Sequence, residues 1–200
     1  MPCLACGGVG APVCGVCLRS LRTPPERAVG HGVVVGGVWV HRGAARRLVH
    51  RLKYDAMPAV ARLAAAMAPP PPPGVSVLVP VPRVMARRVL HGIDPATVFA
   101  VALGEAWGVP VAPGLVAPTW APRRAGSDRR RAPPAFRLVM PVPMGAVVVD
   151  DVVTSGATVG AVAQLLGSRR AFALTVVAPA VVVANPSVTT IAGIRCPQSC

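Results

Sequence analysis

The segment VVVDDVVTSGATV, residues 147–159, leads from an apolar run into two carboxylates and then into a turn of small and hydroxyl side chains. The β-branched run predicts a buried strand over residues 146–149, and the residues after the turn predict a helix over 157–166. Asp150 and Asp151 then follow the carboxyl end of the strand, where ligands bind in open α/β sheets. The segment therefore predicts both the fold class and the functional site.

The rest of the chain alternates between strand-like and helix-like patterns. Its 53% hydrophobic and 4% aromatic residues give a core of Val, Ala and Leu, which suits parallel strands buried between helices. Strands that alternate with helices predict an α/β fold with a doubly wound, mainly parallel sheet. The predicted strands cover residues 32–40 (a strand or a hairpin), 75–82, 146–149 and 171–178. The predicted helices cover residues 43–54, 58–67, 95–107 and 157–166, and Asp94 caps the third of them. Prolines 69–73 form an extended connector.

The diacidic strand end and the turn after it can hold a sugar phosphate. Two carboxylates suit the 2′- and 3′-hydroxyls of a ribose, directly or through a divalent metal. Backbone N–H groups of the turn can converge on a phosphate at the positive end of a helix, and a glycine allows close approach. A strand followed by an acidic turn and a Ser/Thr helix cap would give a similar pattern. The predicted ribose and 5′-phosphate site comprises Asp150, Asp151, Val152, Thr154, Ser155, Gly156, Ala157 and Thr158, with the two carboxylates as catalytic candidates.

Residues 1–26 contain two Cys-x-x-Cys pairs, Cys3 with Cys6 and Cys14 with Cys17. Four thiolates at this spacing suit a tetrahedral Zn²⁺ ion with no open position, so the site would be structural. The segment is too poor in apolar residues to build a core alone, and a bound ion would supply the missing folding free energy. A redox dithiol or two chance pairs are the alternative. We predict a small zinc module here, followed by a main domain over residues 30–190.

The chain resembles the ComF family in motifs that occur in the family's order. These motifs are the two cysteine pairs, Lys53-Tyr54 at a helix end, Pro80-Val81-Pro82 at a strand end, and Asp150-Asp151. The resemblance covers residues 3–178. It implies the type I phosphoribosyltransferase fold, with residues 147–159 as the signature that binds phosphoribosyl diphosphate together with Mg²⁺.

The resemblance also implies where the diphosphate and the acceptor would be bound. In the family, the loop after the Val-Pro-Val-Pro strand faces the diphosphate, which makes Arg83 and Arg87 candidate contacts because a guanidinium matches phosphate oxygens. This loop continues here as His91-Gly92-Ile93-Asp94 instead of the family's Arg-Gly-Phe/Tyr-Asn/Asp. A mobile hood would cover residues 121–136 within a surface loop over 118–134; Arg129, Arg130 and Arg131 are candidates there, and the family's Gln and Asn are not apparent. Arginine runs of this kind also occur as solvated faces or disordered loops.

Two hypotheses of different classes follow from these observations. The first is an enzyme that transfers a phosphoribosyl group to an unknown acceptor, with the leaving diphosphate neutralised by Mg²⁺ and by Arg83 or Arg87. The second is a catalytically silent ComF-type accessory protein in DNA uptake and competence, which would act through a competence helicase or single-stranded DNA. A ligand-sensing regulator would use the same site. The net charge of +14 favours anionic partners but does not choose between nucleic acid and phosphorylated metabolites.

Nothing in the sequence predicts membrane insertion. The first residues, MPCLACGGVG, lack the pattern of a secretory signal. The longest apolar stretch, residues 171–184, is interrupted by Pro179 and falls short of the ~20 residues that cross a bilayer. We therefore expect a cytoplasmic protein. The four histidines show no metal spacing and are expected to be surface or helix residues, and the tail 191–200 with Cys196 and Cys200 has no assigned role.

Overall fold

A computed structural model describes residues 2–10, 12–83, 93–117 and 135–178 of the chain. The described helices are α1 (Gly15–Ser20), α2 (Gly43–Tyr54), α3 (Ala59–Ala66), α4 (Pro95–Trp107) and α5 (Ala157–Leu166). The described strands are β1 (Arg27–Val29), β2 (Val33–Val40), β3 (Val77–Pro80), β4 (Leu115–Val116), β5 (Arg137–Leu138), β6 (Ala146–Val153) and β7 (Arg170–Val176). The predicted loop 118–134, its hood arginines, Arg87 and the tail lie outside the described residues.

Five of the described strands form one sheet in the order β1-β2-β7-β6-β3. Strands β2, β7, β6 and β3 are parallel, whereas β1 lies antiparallel to β2 at one edge. Valine runs build these strands because β-branched side chains pack well on a sheet that is buried on both faces. Strands β4 and β5 form a separate antiparallel pair. The predicted α/β class with a mainly parallel sheet is confirmed, with an antiparallel edge that the sequence did not indicate.

Helices cover both faces of the sheet. Val147 and Val149 of β6 belong to the same apolar cluster as residues of α2, α3 and α4. Their strand neighbours Ala146 and Val148 belong to a second cluster, which includes residues of α5. Because successive strand residues face opposite sides, these two clusters are the two apolar layers of the core. The arrangement is compatible with the predicted doubly wound sheet.

Local signals define the start of α4 and both ends of α5. Asp94 accepts a hydrogen bond from the backbone N–H of Thr97 at 3.4 Å, and Pro95 occupies the first turn, so α4 begins where the sequence predicted. Helix α5 lies between two glycines with left-handed backbone, Gly156 (φ 84°) and Gly167 (φ 65°). None of the described helices has the length and apolar composition needed to cross a membrane.

Strand β6 extends beyond its predicted end at residue 149 and reaches Val153. Asp150 and Val152 pair with Ala173 and Thr175 of β7. The predicted end of the strand at residue 149 is therefore wrong, because β7 continues alongside and Val152 and Val153 favour extended backbone. The observed bounds of α2, α4 and α5 equal the predicted ones, and the other predicted elements that are described agree with theirs to within two residues at each end.

Candidate functional site

The carboxyl ends of the parallel strands bring several candidate residues to one edge of the sheet. His41 follows β2, Thr175 lies near the end of β7, and Arg83 follows β3. Asp150 and Asp151 lie in the last part of β6. Since these strands run in the same direction, their carboxyl ends meet at this edge. In open α/β sheets, this is the edge where ligands bind.

Asp150 and the TSGAT turn, which we define as residues 154–158, line one depression at this edge. The depression encloses about 210 Å³, and three valines, Val152, Val153 and Val159, complete its wall. Helix α5 begins at Ala157, and the first N–H groups of a helix have no carbonyl partner inside it. They also form the positive end of the helix dipole. The structure thus brings together Asp150, Val152 and the predicted turn residues around a space suited to an anion.

Gly156 is required in the turn for a reason that the sequence prediction missed. Its φ of 84° is left-handed, and a Cβ at this position would lie 2.5 Å from both Cβ and Cγ1 of Val29. The close approach is therefore to strand β1, whereas the prediction assigned it to a ligand. Arg27 of the same strand donates a hydrogen bond from Nη2 to the carbonyl of Thr154. Strand β1 thus holds the TSGAT turn in place from outside.

The two neighbouring carboxylates have different surroundings. Asp150 lines the depression, whereas Asp151 is directed towards α2, where its Oδ2 lies 2.9 Å from Nζ of Lys53. Both side chains of this pair are largely buried, with 15% of Asp151 and 21% of Lys53 exposed. The two carboxyl groups also interact with each other through a side-chain hydrogen bond, and their joint role towards a ribose stays a prediction.

Asp150 has an unusual protonation equilibrium. Burial raises its pKa well above the ordinary value, and the neighbouring charge of Asp151 raises it further, while Lys53 opposes the shift. The backbone N–H of Asp151 donates to Oδ1 of Asp150 at 2.8 Å, which fixes the orientation of the carboxyl group. Asp150 therefore keeps a proton at higher pH than an exposed aspartate does.

A larger groove adjoins this depression on the side of α2. We call it the basic groove; it encloses about 1040 Å³ and is lined by His41, Gly43, Arg46, Arg47, Val49, His50, Lys53, Tyr54 and Val152. Val152 lines both spaces, so the depression and the groove are neighbours. Lys53 and Tyr54, which the family resemblance singled out, lie in its wall. The expectation for the histidines is correct for His50, an exposed residue of α2.

His41 does not fit that expectation. It lies in the turn after β2 and is partly buried, and its Nδ1 is 2.9 Å from Oγ1 of Thr175. Burial lowers the pKa of His41, the charges of Lys53 and Arg46 lower it further, and Asp151 opposes them. No local sequence pattern could have found this histidine, because its partner comes from a strand at the other end of the chain.

Arg83, which was predicted to contact the diphosphate, forms hydrogen bonds with Asp94 and Ile93. Its backbone N–H donates to Oδ2 of Asp94 at 2.8 Å, and its Nη1 donates to the carbonyl of Ile93 at 3.3 Å. Arg83 follows β3 at the same edge of the sheet but does not line the depression. Its role towards a diphosphate stays a prediction.

The four N-terminal cysteines form a compact cluster, which we call the cysteine cluster. The Sγ atoms of Cys3, Cys6, Cys14 and Cys17 all lie within 4.8 Å of one another, with 3.7 Å between Cys6 and Cys14. A tetrahedral zinc ion with Zn–S bonds of about 2.3 Å would separate its sulfurs by about 3.8 Å. The backbone N–H of Cys14 also donates to Sγ of Cys3 at 3.2 Å, as expected for a thiolate. The cluster can therefore hold a metal ion.

The surroundings of the cysteine cluster give its thiols different pKa values, and contacts with α2 join the cluster to that helix. Burial raises the pKa of Cys3, but backbone hydrogen bonds, the largest from Cys14, outweigh it and lower the pKa to about 6. Burial and the neighbouring thiols raise the pKa of Cys17 to about 12. Arg47 of α2 donates to the carbonyl of Ala5 at 2.9 Å. Cys3 and Cys17 share one apolar core with α2, and the predicted boundary after residue 26 stays a prediction.

Comparisons with known proteins do not assign the chain to a family. No family model matches the chain, and no curated protein matches it. The residues at the carboxyl edge of the sheet and the cysteine cluster are therefore the basis for assigning a function.

Proposed function

We propose that this protein is a phosphoribosyltransferase-like protein that binds phosphoribosyl diphosphate with Mg²⁺. One observation carries the proposal: Asp150 and the TSGAT turn line the same depression at the carboxyl end of a central parallel strand. The 5′-phosphate would lie on the turn at the start of α5, and a ribose hydroxyl would bind Asp150.

Each neighbour of Asp150 has a role in this proposal. The N–H of Asp151 orients the carboxyl of Asp150, and Lys53 forms an ion pair with Asp151. In the transfer, the bond between C1 of the ribose and the diphosphate oxygen breaks with its electron pair going to the diphosphate, and C1 bonds to the acceptor. Mg²⁺, bound with the diphosphate, supplies charge neutralisation, to which Arg83 would add.

We also propose that the ion in the cysteine cluster is zinc with a structural role. Four thiols at these separations fit tetrahedral coordination and leave no position for a substrate. The cluster shares a core with α2, which carries Lys53, so the ion would stabilise the helix beside the site.

Isothermal titration with phosphoribosyl diphosphate and Mg²⁺ tests the proposal. We expect binding to the wild type, and at least about tenfold weaker binding to Asp150→Asn, because a charge-assisted hydrogen bond is lost. Asp55→Asn is the matched control, since Asp55 is an exposed carboxylate that pairs with Arg51. Absence of binding to the wild type would overturn the proposal. Release of diphosphate with a panel of nucleobases distinguishes a transferase from a protein that only binds the ligand.

A second candidate is the accessory role in DNA uptake, acting through a helicase or single-stranded DNA. The net charge of +14 and the exposed cationic side chains Arg46 and Arg51 of α2 favour it. A salt-dependent shift with single-stranded DNA that persists in Asp150→Asn, together with no diphosphate release, would support this role. A cytoplasmic location suits both candidates.

A further inference from the structure

The hydrogen bonds of Thr175 determine which nitrogen of His41 carries the proton. Oγ1 of Thr175 donates to the carbonyl of Asp151 at 3.3 Å, and a carbonyl oxygen can only accept. A hydroxyl group has one proton, and with that proton directed to the carbonyl, Oγ1 accepts its other hydrogen bond from Nδ1 of His41, 2.9 Å away. A neutral imidazole with its proton on Nδ1 has its lone pair on Nε2. His41 therefore brings a hydrogen-bond acceptor into the wall of the basic groove.

The charges around His41 keep this imidazole neutral. Lys53 and Arg46 face it from α2 and favour the neutral form, burial acts in the same direction, and Asp151 of β6 opposes them. A neutral acceptor among cations is an unusual combination. It suits a ligand that carries a donor hydrogen at one position and negative charge at another.

Arg46 is the cation of the groove that is best placed to meet such a charge. Lys53 is paired with Asp151, and Arg47 donates to the carbonyl of Ala5. Arg46 is exposed, lines the groove, and takes part in none of the ion pairs found among residues 2–10, 12–83, 93–117 and 135–178. Its guanidinium can bind a carboxylate through two parallel hydrogen bonds.

The groove is also in the right place to serve the neighbouring depression. Val152 forms part of both walls, so the groove adjoins the depression at this residue. No other described residue lines both spaces.

We propose that the basic groove is the acceptor site and that its ligand is a planar carboxylate with a ring or amine N–H. This inference rests on the proposed function. Arg46 binds the carboxylate, and Nε2 of His41 accepts the N–H. In the transfer, the nitrogen lone pair forms the C1–N bond, the diphosphate leaves with the electron pair of the C1–O bond, and the N–H proton passes to Nε2 of His41.

Three small carboxylates of the same shape test the assignment: pyrrole-2-carboxylate, its N-methyl derivative and furan-2-carboxylate. Only the first has an N–H donor. Titrations followed by NMR, without phosphoribosyl diphosphate, should shift the side-chain resonances of His41 and Arg46. We expect pyrrole-2-carboxylate to bind about fivefold more tightly than furan-2-carboxylate, which cannot satisfy Nε2. Equal binding of these two compounds to the wild type would overturn the inference, as would shifts confined to other parts of the protein.

Variants separate the two recognition groups. Arg46→Gln should weaken all the binding compounds about tenfold, whereas Arg62→Gln, the same charge change on the exposed side of α3, should have no effect. In His41→Asn, the side-chain amide can replace the N–H that Thr175 accepts but offers no counterpart of Nε2. This variant should keep carboxylate binding and lose the preference for pyrrole-2-carboxylate; a retained preference would exclude His41 as the acceptor.

The outcomes also separate this inference from the proposed function. If the carboxylates bind as expected and phosphoribosyl diphosphate does not bind, the ligand class of the groove stands and the transfer reaction is excluded. If phosphoribosyl diphosphate binds through Asp150 and the carboxylates show no selectivity, the depression remains the site for phosphoribosyl diphosphate and the groove is excluded as the acceptor site.

Discussion

Nζ of Lys53 lies 2.9 Å from Oδ2 of Asp151, and this ion pair joins the end of α2 to the last part of β6. Asp150, the neighbour of Asp151 in the strand, lines the depression. The same lysine forms part of the wall of the basic groove. One ion pair therefore contributes to the shape of both spaces.

The Lys53–Asp151 pair should stabilise the fold measurably. Both partners are largely buried, so we expect a coupling of about 1–3 kcal/mol in a double-mutant cycle with Lys53→Met and Asp151→Asn, measured by urea denaturation. The pair Arg51–Asp55 is the control, because its side chains are 47% and 38% exposed and should couple by less than about 0.5 kcal/mol. Equal couplings in the two cycles would contradict this prediction.

Gly156→Ala should destabilise the protein more than Gly167→Ala. Both glycines have left-handed backbone and flank α5, and each substitution carries a conformational cost of about 1–2 kcal/mol. A Cβ at Gly156 also meets Val29 at 2.5 Å, whereas a Cβ at Gly167 meets no atom within 4 Å. We expect the first variant to lose a further 1–3 kcal/mol or so in free energy of unfolding. Similar losses for both variants would mean that Val29 does not restrict the turn.

Asp150→Asn should raise stability near neutral pH. The pKa of Asp150 is raised in the folded state, so above the ordinary value of 3.8 the folded protein binds more protons than the unfolded chain, until the raised pKa is passed. Stability therefore falls as pH rises through this window, and asparagine removes the penalty. Urea denaturation at stepwise lower pH should show the advantage of the variant shrinking. An advantage that is absent at neutral pH, or that grows on acidification, would contradict the raised pKa.

Cys14→Ser should release stoichiometric zinc and loosen the N-terminal segment. Elemental analysis and amide hydrogen exchange over residues 2–20 provide the measurements, and exchange should also increase in the first turns of α2, which share the core of the cluster. Leu18→Ser is the control, because Leu18 is an exposed residue of α1 without a thiol. Full zinc content in Cys14→Ser would exclude coordination by four thiolates.

Much of the fold could be predicted from the sequence because its signals are local. The valine runs gave the parallel strands, and Asp94 with Pro95 gave the start of α4. The end of β6 was misplaced because Asp150 and Asp151 disfavour strands on their own, whereas pairing with β7 extends the strand through them. The antiparallel β1 has three residues and pairs with β2 across a tight turn, which leaves almost no periodic pattern to read.

The candidate site was predictable where it is contiguous in sequence and not where it is assembled from distant segments. Residues 150–158 could be read as one motif. The partners of Asp151 and Thr175 could not, because Lys53 and His41 come from the other end of the chain. One signal was present: Lys53 is the single lysine of the sequence, among many arginines, and only a lysine offers a compact ammonium for a partly buried pair.

Strand β1 links the cysteine cluster to the TSGAT turn. Leu21 is buried in the apolar layer around the cysteine cluster, and a few residues later Arg27 and Val29 press on the loop that would cradle a phosphate. We expect a loss of order around the cysteine cluster to reach the TSGAT turn through these few residues. A chelator that strips the thiols of their ion should therefore also speed amide exchange at residues 154–156, far along the sequence from any cysteine that it attacks.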